Sequence, residues 1–171
     1  MSLYVIRHDE PALRGVFLGR TDPPLSDAGA EASRRKMAEV QAAIVYSSPL
    51  RRAIQTARMI ACEAELVELA DLRELDFGEW DGLTWEQVLS RWPELAGTKL
   101  RDWLGSTPPG GEAWECFVQR VDRALATIRE GPKPAAIVAH LVVNSVIMWR
   151  LTGQPPQAFQ QHYGEVLRVE L

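Results

Sequence analysis

Residues 3–8 read LYVIRH and residues 135–140 read AAIVAH. Each is a short, apolar run that ends on a histidine, the pattern of a strand buried on both faces whose polar end emerges from the core. The chain has only three histidines, so two of them standing directly behind such runs is informative. Between them lie two more short strand candidates, 43–46 and 66–69, and the segments that separate the strands carry helical spacing. Strands alternating with helices predict an α/β domain, a three-layer sandwich with a mostly parallel sheet flanked by helices. Ligands in such sheets bind beyond the carboxyl ends of the strands, so His8 and His140 are expected at one functional edge.

Working outward, residues 9–25 hold Pro11, Gly15, Gly19, Pro23 and Pro24 without any sustained period, which reads as a long loop over that edge. Ser26 is placed to cap a helix running to about Val40, with Arg34, Arg35 and Lys36 as its solvated face. Ser48 and Pro49 are placed to cap and open the next helix, where Leu50, Ile54, Ala57 and Ala61 recur at helical spacing. The segment RELDFGEWDG, 73–82, breaks every period and reads as a loop with two glycines and four acidic residues. Thr84 with Gln87 resembles a capping box for a helix to Trp92, and a weaker helical piece follows over 95–104. These form a small helical excursion at about 84–105, too short to own a core. After a turn at 108–111, Glu112 to Glu130 reads as the longest helix, with Trp114, Phe117, Val121, Leu125 and Ile128 on one face. A helix over 142–152 and an alternating strand over 166–171 complete a single domain, 1–171.

The 46% hydrophobic and 25% charged composition excludes disordered, collagen-like and disulfide-built chains. A net charge of −4 without a basic block argues against a nucleic-acid partner, so any bound anion is expected to be small. Four apolar residues precede Arg7, too few for a signal peptide, and no window suits a membrane span, so a cytoplasmic protein is expected. Cys62 and Cys116 lack metal-site spacing and read as buried free thiols. Of the six tryptophans, Trp114 and Trp149 are expected in the core, although a stacking platform for a ring-bearing substrate is conceivable.

Arg7 stands beside His8, and Arg52 falls in the first turn of a helix that starts from the same sheet edge. Guanidinium groups there can fork phosphate oxygens, and the N-terminus of the helix after His140 also favours an anion. Among the acids of the 73–82 loop, Glu74, Asp76, Glu79 and Asp81 cannot be told apart by residue type.

In order along the chain stand YVIRHDEP, GRTDPPLSDAG, SSPLRRAIQTA, RELDFGEWDGLT and IVAHLVVNSVI. These segments resemble the signature of the histidine phosphatase superfamily, the phosphoglycerate mutase-like fold, over nearly the whole chain. The resemblance implies a metal-independent phosphatase with no cofactor, in which His8 becomes a phosphohistidine. Arg7, Arg52 and His140 would grip the phosphoryl oxygens. Glu74 would protonate the leaving oxygen and then activate water, which calls for a raised pKa. The chain is too short for the insertions of phosphoglycerate mutases and looks more like the short phosphatases, including α-ribazole phosphatases of cobalamin assembly. A small phosphorylated substrate is implied, with Arg14, Gly19 and Arg20 as further contacts. A homodimer is left open.

Three positions depart from the family pattern: Asp9 replaces the glycine after His8, Leu141-Val142 replace a glycine pair, and Ser145 replaces a frequent arginine. Asp9 sits beside a dianionic substrate unless it turns away to cap backbone N–H groups. These departures leave open a member that binds a phosphorylated ligand or partner without turnover. Removal of phosphate from a protein phosphohistidine is a further alternative.

Overall fold

The computed structural model describes residues 2–60, 64–97 and 107–170. Its centre is a five-stranded sheet of order β3-β2-β4-β1-β5, where β1 is Ser2–Arg7, β2 Ile44–Ser47, β3 Glu65–Glu68, β4 Ala135–Ala139 and β5 Val166–Glu170. β1 to β4 pair in parallel, and β5 runs antiparallel along β1 at one edge. A mostly parallel α/β sheet is thus observed, as expected.

The pleat sorts the core. Leu3 and Val5 of β1, Ile44 and Tyr46 of β2, and Ala135, Ile137 and Ala139 of β4 face one layer. Ile6, Val45, Ala136 and Val138 face the other. Helices α4 (Trp114–Glu130) and α5 (Leu141–Thr152) cover the first face; α1 (Asp27–Met37) and α2 (Arg51–Ala57) cover the second. Continuous apolar runs in the central strands follow from this double cover.

Several boundaries move for physical reasons. α1 is capped by Ser26, whose Oγ accepts the Gly29 N–H, but ends at Met37. Lys36 is exposed like Arg34 and Arg35, as expected, yet its ammonium group also reaches the buried Asp9 carboxylate. Ser48 is not the N-cap of α2: the helix begins at Arg51 after Leu50, the Ser48 hydroxyl bonds His140 and the Leu50 N–H, and the Arg51 N–H is taken by the Asp22 carboxylate from the long loop. α4 starts at Trp114, since Glu112 is turned back onto Arg120. The capping box at Thr84 and Gln87 is formed and opens α3 (Trp85–Arg91). Only α3 and a 3-10 turn, Pro93–Leu95, represent the helical excursion; the expectations for 98–105, including Trp103, lie outside the described residues, as does Cys62. Cys116 is exposed, one position off the stripe of α4 that buries Phe117 and Val121.

Trp114 and Trp149 pack against the core as expected, but the densest tryptophan cluster lies elsewhere. Trp114 and Trp149 are half-buried, whereas Trp80 is buried at 2% exposure between Phe17, Trp85 and Trp92, with ring centroids 5.7 to 6.2 Å away. Phe17 also bridges to Asp81, so the long loop is bound to the 73–82 loop by aromatic packing and backbone pairing. The second loop is held in turn by the turn at 108–111: Glu79 N–H donates to Pro109 O at 2.8 Å and Glu112 N–H to Asp76 O at 3.0 Å. Gly78 sits between them at φ 52°, where a Cβ would collide with Pro109 O.

Gly78→Ala is expected to lower unfolding free energy by about 2 kcal/mol or more, from left-handed strain plus the backbone clash. Urea unfolding with an unchanged m-value would show it; a midpoint equal to the unsubstituted protein's would contradict the tight loop–turn contact.

Candidate active site

Three strands deliver side chains to one sheet edge because they are parallel and in register. Arg7 lies opposite Ala139 and Ile6 opposite Val138, while Ser47 pairs with Val138 from the other side. The next residues continue the ladder: His8 N–H donates to Ala139 O and Ser48 N–H to Val138 O, both at 3.0 Å. His8 and His140 therefore sit with ring centroids 5.1 Å apart, both buried. His8 lines a cavity of about 210 Å³ together with Arg7, Arg52, Glu74 and Tyr163; His140, in ring contact with His8, is not among the lining residues.

His8 Nδ1 lies 2.7 Å from the carbonyl oxygen of Asp9. A carbonyl only accepts, so Nδ1 carries the proton and the lone pair is left on Nε2. Burial, with the Arg52 and Arg7 charges, holds the His8 pKa well below the ordinary histidine value, against the Asp9 hydrogen bond. His140 is pulled down by burial first and then by Arg52, His8, Arg7 and Arg120. Both rings are neutral near pH 7. His140 Nε2 contacts Ser48 Oγ at 2.8 Å, and Ser48 Oγ accepts the Leu50 N–H at 3.3 Å. If the hydroxyl donates its hydrogen bond to Nε2, the ring proton stands on Nδ1, which has no hydrogen-bond partner among the described residues.

Arg52 is 1% exposed, whereas its neighbour Arg51 is exposed. Its guanidinium donates to Leu18 O at 2.8 Å and to Thr21 O and Asp22 Oδ1 at 3.2 Å, and its buried Nε has no partner among the described residues. Burial lowers its pKa; Glu74, Asp22, Asp81 and Tyr163 oppose that. Arg7 donates to Gln161 O at 2.7 Å and lies 4.0 Å from the centre of the Tyr163 ring.

The four acids of the loop separate cleanly. Asp81 accepts from Gly19 N, Thr21 N and Thr21 Oγ1, which folds the long loop. Asp76 accepts the Gly78 N–H and pairs with Arg20, and Glu79 lies away from the cavity. Only Glu74 of these lines the cavity with His8. Burial raises its pKa, partly offset by N–H bonds from Leu75 and Val142 and by the charges of Arg52 and Arg7.

Not every anticipated contact residue joins this group. Arg14 is exposed and paired with Glu10, Arg20 is 80% exposed in its pair with Asp76, and neither lines the cavity. Gly19 is a close-approach position, where a Cβ would meet Leu75 O at 2.6 Å. Asp9 turns away: its carboxylate accepts the Glu10 N–H at 2.8 Å and pairs with Lys36 at 3.0 Å. Leu141, Val142 and Ser145 do line the cavity, beside Phe17, Phe77 and Phe159. Sequence reading misses the roles of Ser48 and Tyr163; Ser48 stands in a quoted motif, while nothing local marks Tyr163. No helix among the described residues is long and apolar enough to cross a membrane.

The family model described as the histidine phosphatase superfamily (branch 1) matches residues 3–171. The adenosylcobalamin/alpha-ribazole phosphatase of Escherichia coli K12 is 29% identical over 167 residues, covering 92% of this chain and 82% of that protein. The crystal structure of the alpha-ribazole phosphatase from Shigella flexneri gives a TM-score of 0.86 at 27% identity, over 100% of this chain and 91% of the other. A phosphoglycerate mutase crystal structure from Thermus thermophilus gives a TM-score of 0.77 at 32% identity, over 99% and 93%. The fold is phosphoglycerate mutase-like.

The two depressed histidines make stability fall with acid. Below about pH 6.5 the unfolded chain takes up protons on histidines that the native state keeps neutral, so stability is lost as pH drops, by up to about 1.4 kcal/mol per pH unit for each. Glu74 works in the opposite sense: its stabilisation is present at low pH and is lost as pH rises through its raised pKa. Urea unfolding between pH 7 and 5.5 should therefore show a shallower slope for His8→Asn and a steeper one for Glu74→Gln; an unchanged slope in His8→Asn would refute a neutral, buried His8.

Proposed function

The chain belongs to the histidine phosphatase superfamily and is a phosphatase; from that premise we propose that it hydrolyses a small phosphomonoester through a phosphohistidine on His8, without a metal ion. The observation that carries this reading is the tautomer of His8, neutral and with its proton held on Nδ1 by the Asp9 carbonyl. An imidazole in that state offers Nε2 as a nucleophile without further activation.

In the first half-reaction, His8 Nε2 forms the bond to phosphorus as the bond to the leaving oxygen breaks. Charge spreads over the equatorial oxygens, and catalysis is mostly alignment and electrostatic stabilisation. Arg7, Arg52 and His140 supply it, with Arg52 Nε and His140 Nδ1, unpartnered among the described residues, as donors of suitable sign. Glu74, whose carboxyl group burial biases towards the protonated form, gives its proton to the leaving oxygen. In the second half-reaction Glu74, now a carboxylate, takes a proton from water as the water oxygen attacks phosphorus. The P–N bond breaks, its electron pair returns to Nε2, and phosphate leaves.

The cavity wall beyond these groups is apolar, formed by Val16, Phe17, Phe77, Leu141, Val142 and Phe159. That wall suits a leaving group with a ring or hydrocarbon surface better than a small ionic one. α-Ribazole 5′-phosphate, a phosphate ester that carries an aromatic base, fits this description and agrees with the names of the relatives.

With an aryl phosphate in EDTA, His8→Ala is expected to abolish phosphate release, and acid-labile label from a phosphorylated substrate should appear only when His8 is present. Glu74→Gln should lose at least about a hundredfold in kcat on an alkyl phosphate, and less on 4-nitrophenyl phosphate, whose leaving oxygen needs little protonation. Equal losses on both would remove Glu74 from the acid role. If the protein is silent and Leu141→Gly with Val142→Gly turns it on, the pocket is closed to ordinary esters.

A further inference from the structure

Asp9 stands where the family has a glycine, and the structure gives it a defined set of partners. Its carboxylate is nearly buried, at 4% side-chain exposure, and its Oδ2 lies 3.0 Å from Lys36 Nζ. Lys36 extends from the last turn of α1 and donates also to Tyr163 O at 3.0 Å. The next residue, Gly164, gives its N–H to Arg7 O at 3.1 Å and to His8 O at 3.2 Å. A Cβ on Gly164 would overlap Asp9 Oδ2 and stand 2.5 Å from Lys36 Nζ, so the segment is pressed directly against this ion pair. The Tyr163 ring is thereby held 4.0 Å from the Arg7 guanidinium and 5.7 Å from the His8 ring, on the cavity wall.

We propose that Asp9 and Lys36 form a strap that fixes Tyr163, and that Tyr163 is a further positioning residue that aligns Arg7 and His8 for phosphoryl transfer. The inference rests on the reading of those two residues given above. A guanidinium lying on an aromatic face loses its freedom to swing out of that plane, and Gln161 O fixes it within the plane. An arginine aligned before substrate arrives spends no substrate binding energy on its own ordering. The strap also answers the charge problem of a carboxylate next to the nucleophile, because Asp9 is neutralised by Lys36 and aimed at the C-terminal segment.

The test compares four variants of the full chain: Asp9→Asn with Lys36→Met, which opens the strap without leaving a buried carboxylate unpaired; Tyr163→Leu; the two combined; and Tyr163→Phe. The readouts are kcat and KM on an aryl phosphate, the dissociation constant for inorganic phosphate by calorimetry, and the thermal midpoint as a control for folding. The opened strap and Tyr163→Leu are each expected to lose about tenfold in kcat/KM and to weaken phosphate binding severalfold. Combined, they should lose little more than Tyr163→Leu alone, because the strap acts through Tyr163. Tyr163→Phe keeps the ring and should recover most of the loss. Losses that multiply to about a hundredfold in the combined variant, or unsubstituted-protein kinetics and phosphate binding in a folded strap-open variant, would overturn the proposal. Phosphate binding is read without turnover, so absence of a phosphoenzyme in the unsubstituted protein would sink the phosphohistidine reading and still leave the strap to be judged on affinity.

Discussion

Two imidazoles and two guanidinium groups share one buried sheet edge, and the rest of the site follows from keeping that concentration of donors tolerable. The in-register pairing of β1 with β4 forces His8 and His140 together. Were either ring charged, it would add to Arg7 and Arg52 in a poorly hydrated place, which is why both pKa values move down. The arginines cannot yield in this way, so the chain surrounds them with acceptors. Leu18 O, Thr21 O and Asp22 serve Arg52, and Gln161 O with the Tyr163 face serves Arg7. An arriving phosphate dianion would complete a charge balance that the protein alone leaves open.

The loops are shaped by the same requirement. Asp22 holds Arg52 and also caps α2, so the helix that carries the arginine starts only where the long loop supplies an acceptor. Asp81 draws Gly19 and Thr21 inward, which brings Leu18 O and Thr21 O within reach of Arg52. On the other side Arg120, from the middle of α4, binds Glu112 and the carbonyl oxygens of Asp71, Arg73 and Glu74. Glu74 is thus set in place through its backbone by a helix anchored in the core. That leaves its carboxyl group to face the cavity, where burial raises its pKa.

How much of this is legible in the sequence depends on range. Periodicity is local, so the histidine-ended strands, the stripe of α4 and the capping box at Thr84 can be read from a few neighbouring residues. Ser48 misleads because a serine before proline satisfies the local rule for a cap, whereas beside the Leu50 N–H its hydroxyl serves His140, 92 residues away. Lys36 is solvated beside Arg34 and Arg35 as its sequence suggests, but nothing near it in sequence reveals its bonds to Asp9 and Tyr163. Glu74 can be chosen from its loop only through family resemblance; in three dimensions Asp76 and Asp81 are visibly committed elsewhere. Arg14 and Arg20 carry the right charge at the right loop; both are exposed, in surface pairs with Glu10 and Asp76 and outside the cavity that His8 lines.

The departures from the family glycines divide according to whether backbone or side chain matters at each position. At Val142 the group that touches Glu74 is the N–H, 3.3 Å from Oε2, and an N–H is supplied equally well by valine or glycine. The hydrogen bond places one carboxyl oxygen at the N-terminal end of α5, where the helix dipole favours the ionised form and limits how far burial can raise the pKa. The Leu141 and Val142 side chains are then free to be bulky without disturbing that contact, and they narrow and dry the cavity that Phe17 and Phe159 also line. A smaller, drier wall strengthens the electrostatic interactions inside it while restricting what can be attached to the phosphate. On the proposed mechanism, these two residues bear on leaving-group selection, whereas the demands of phosphoryl transfer itself are met by the backbone ladder and the buried cations.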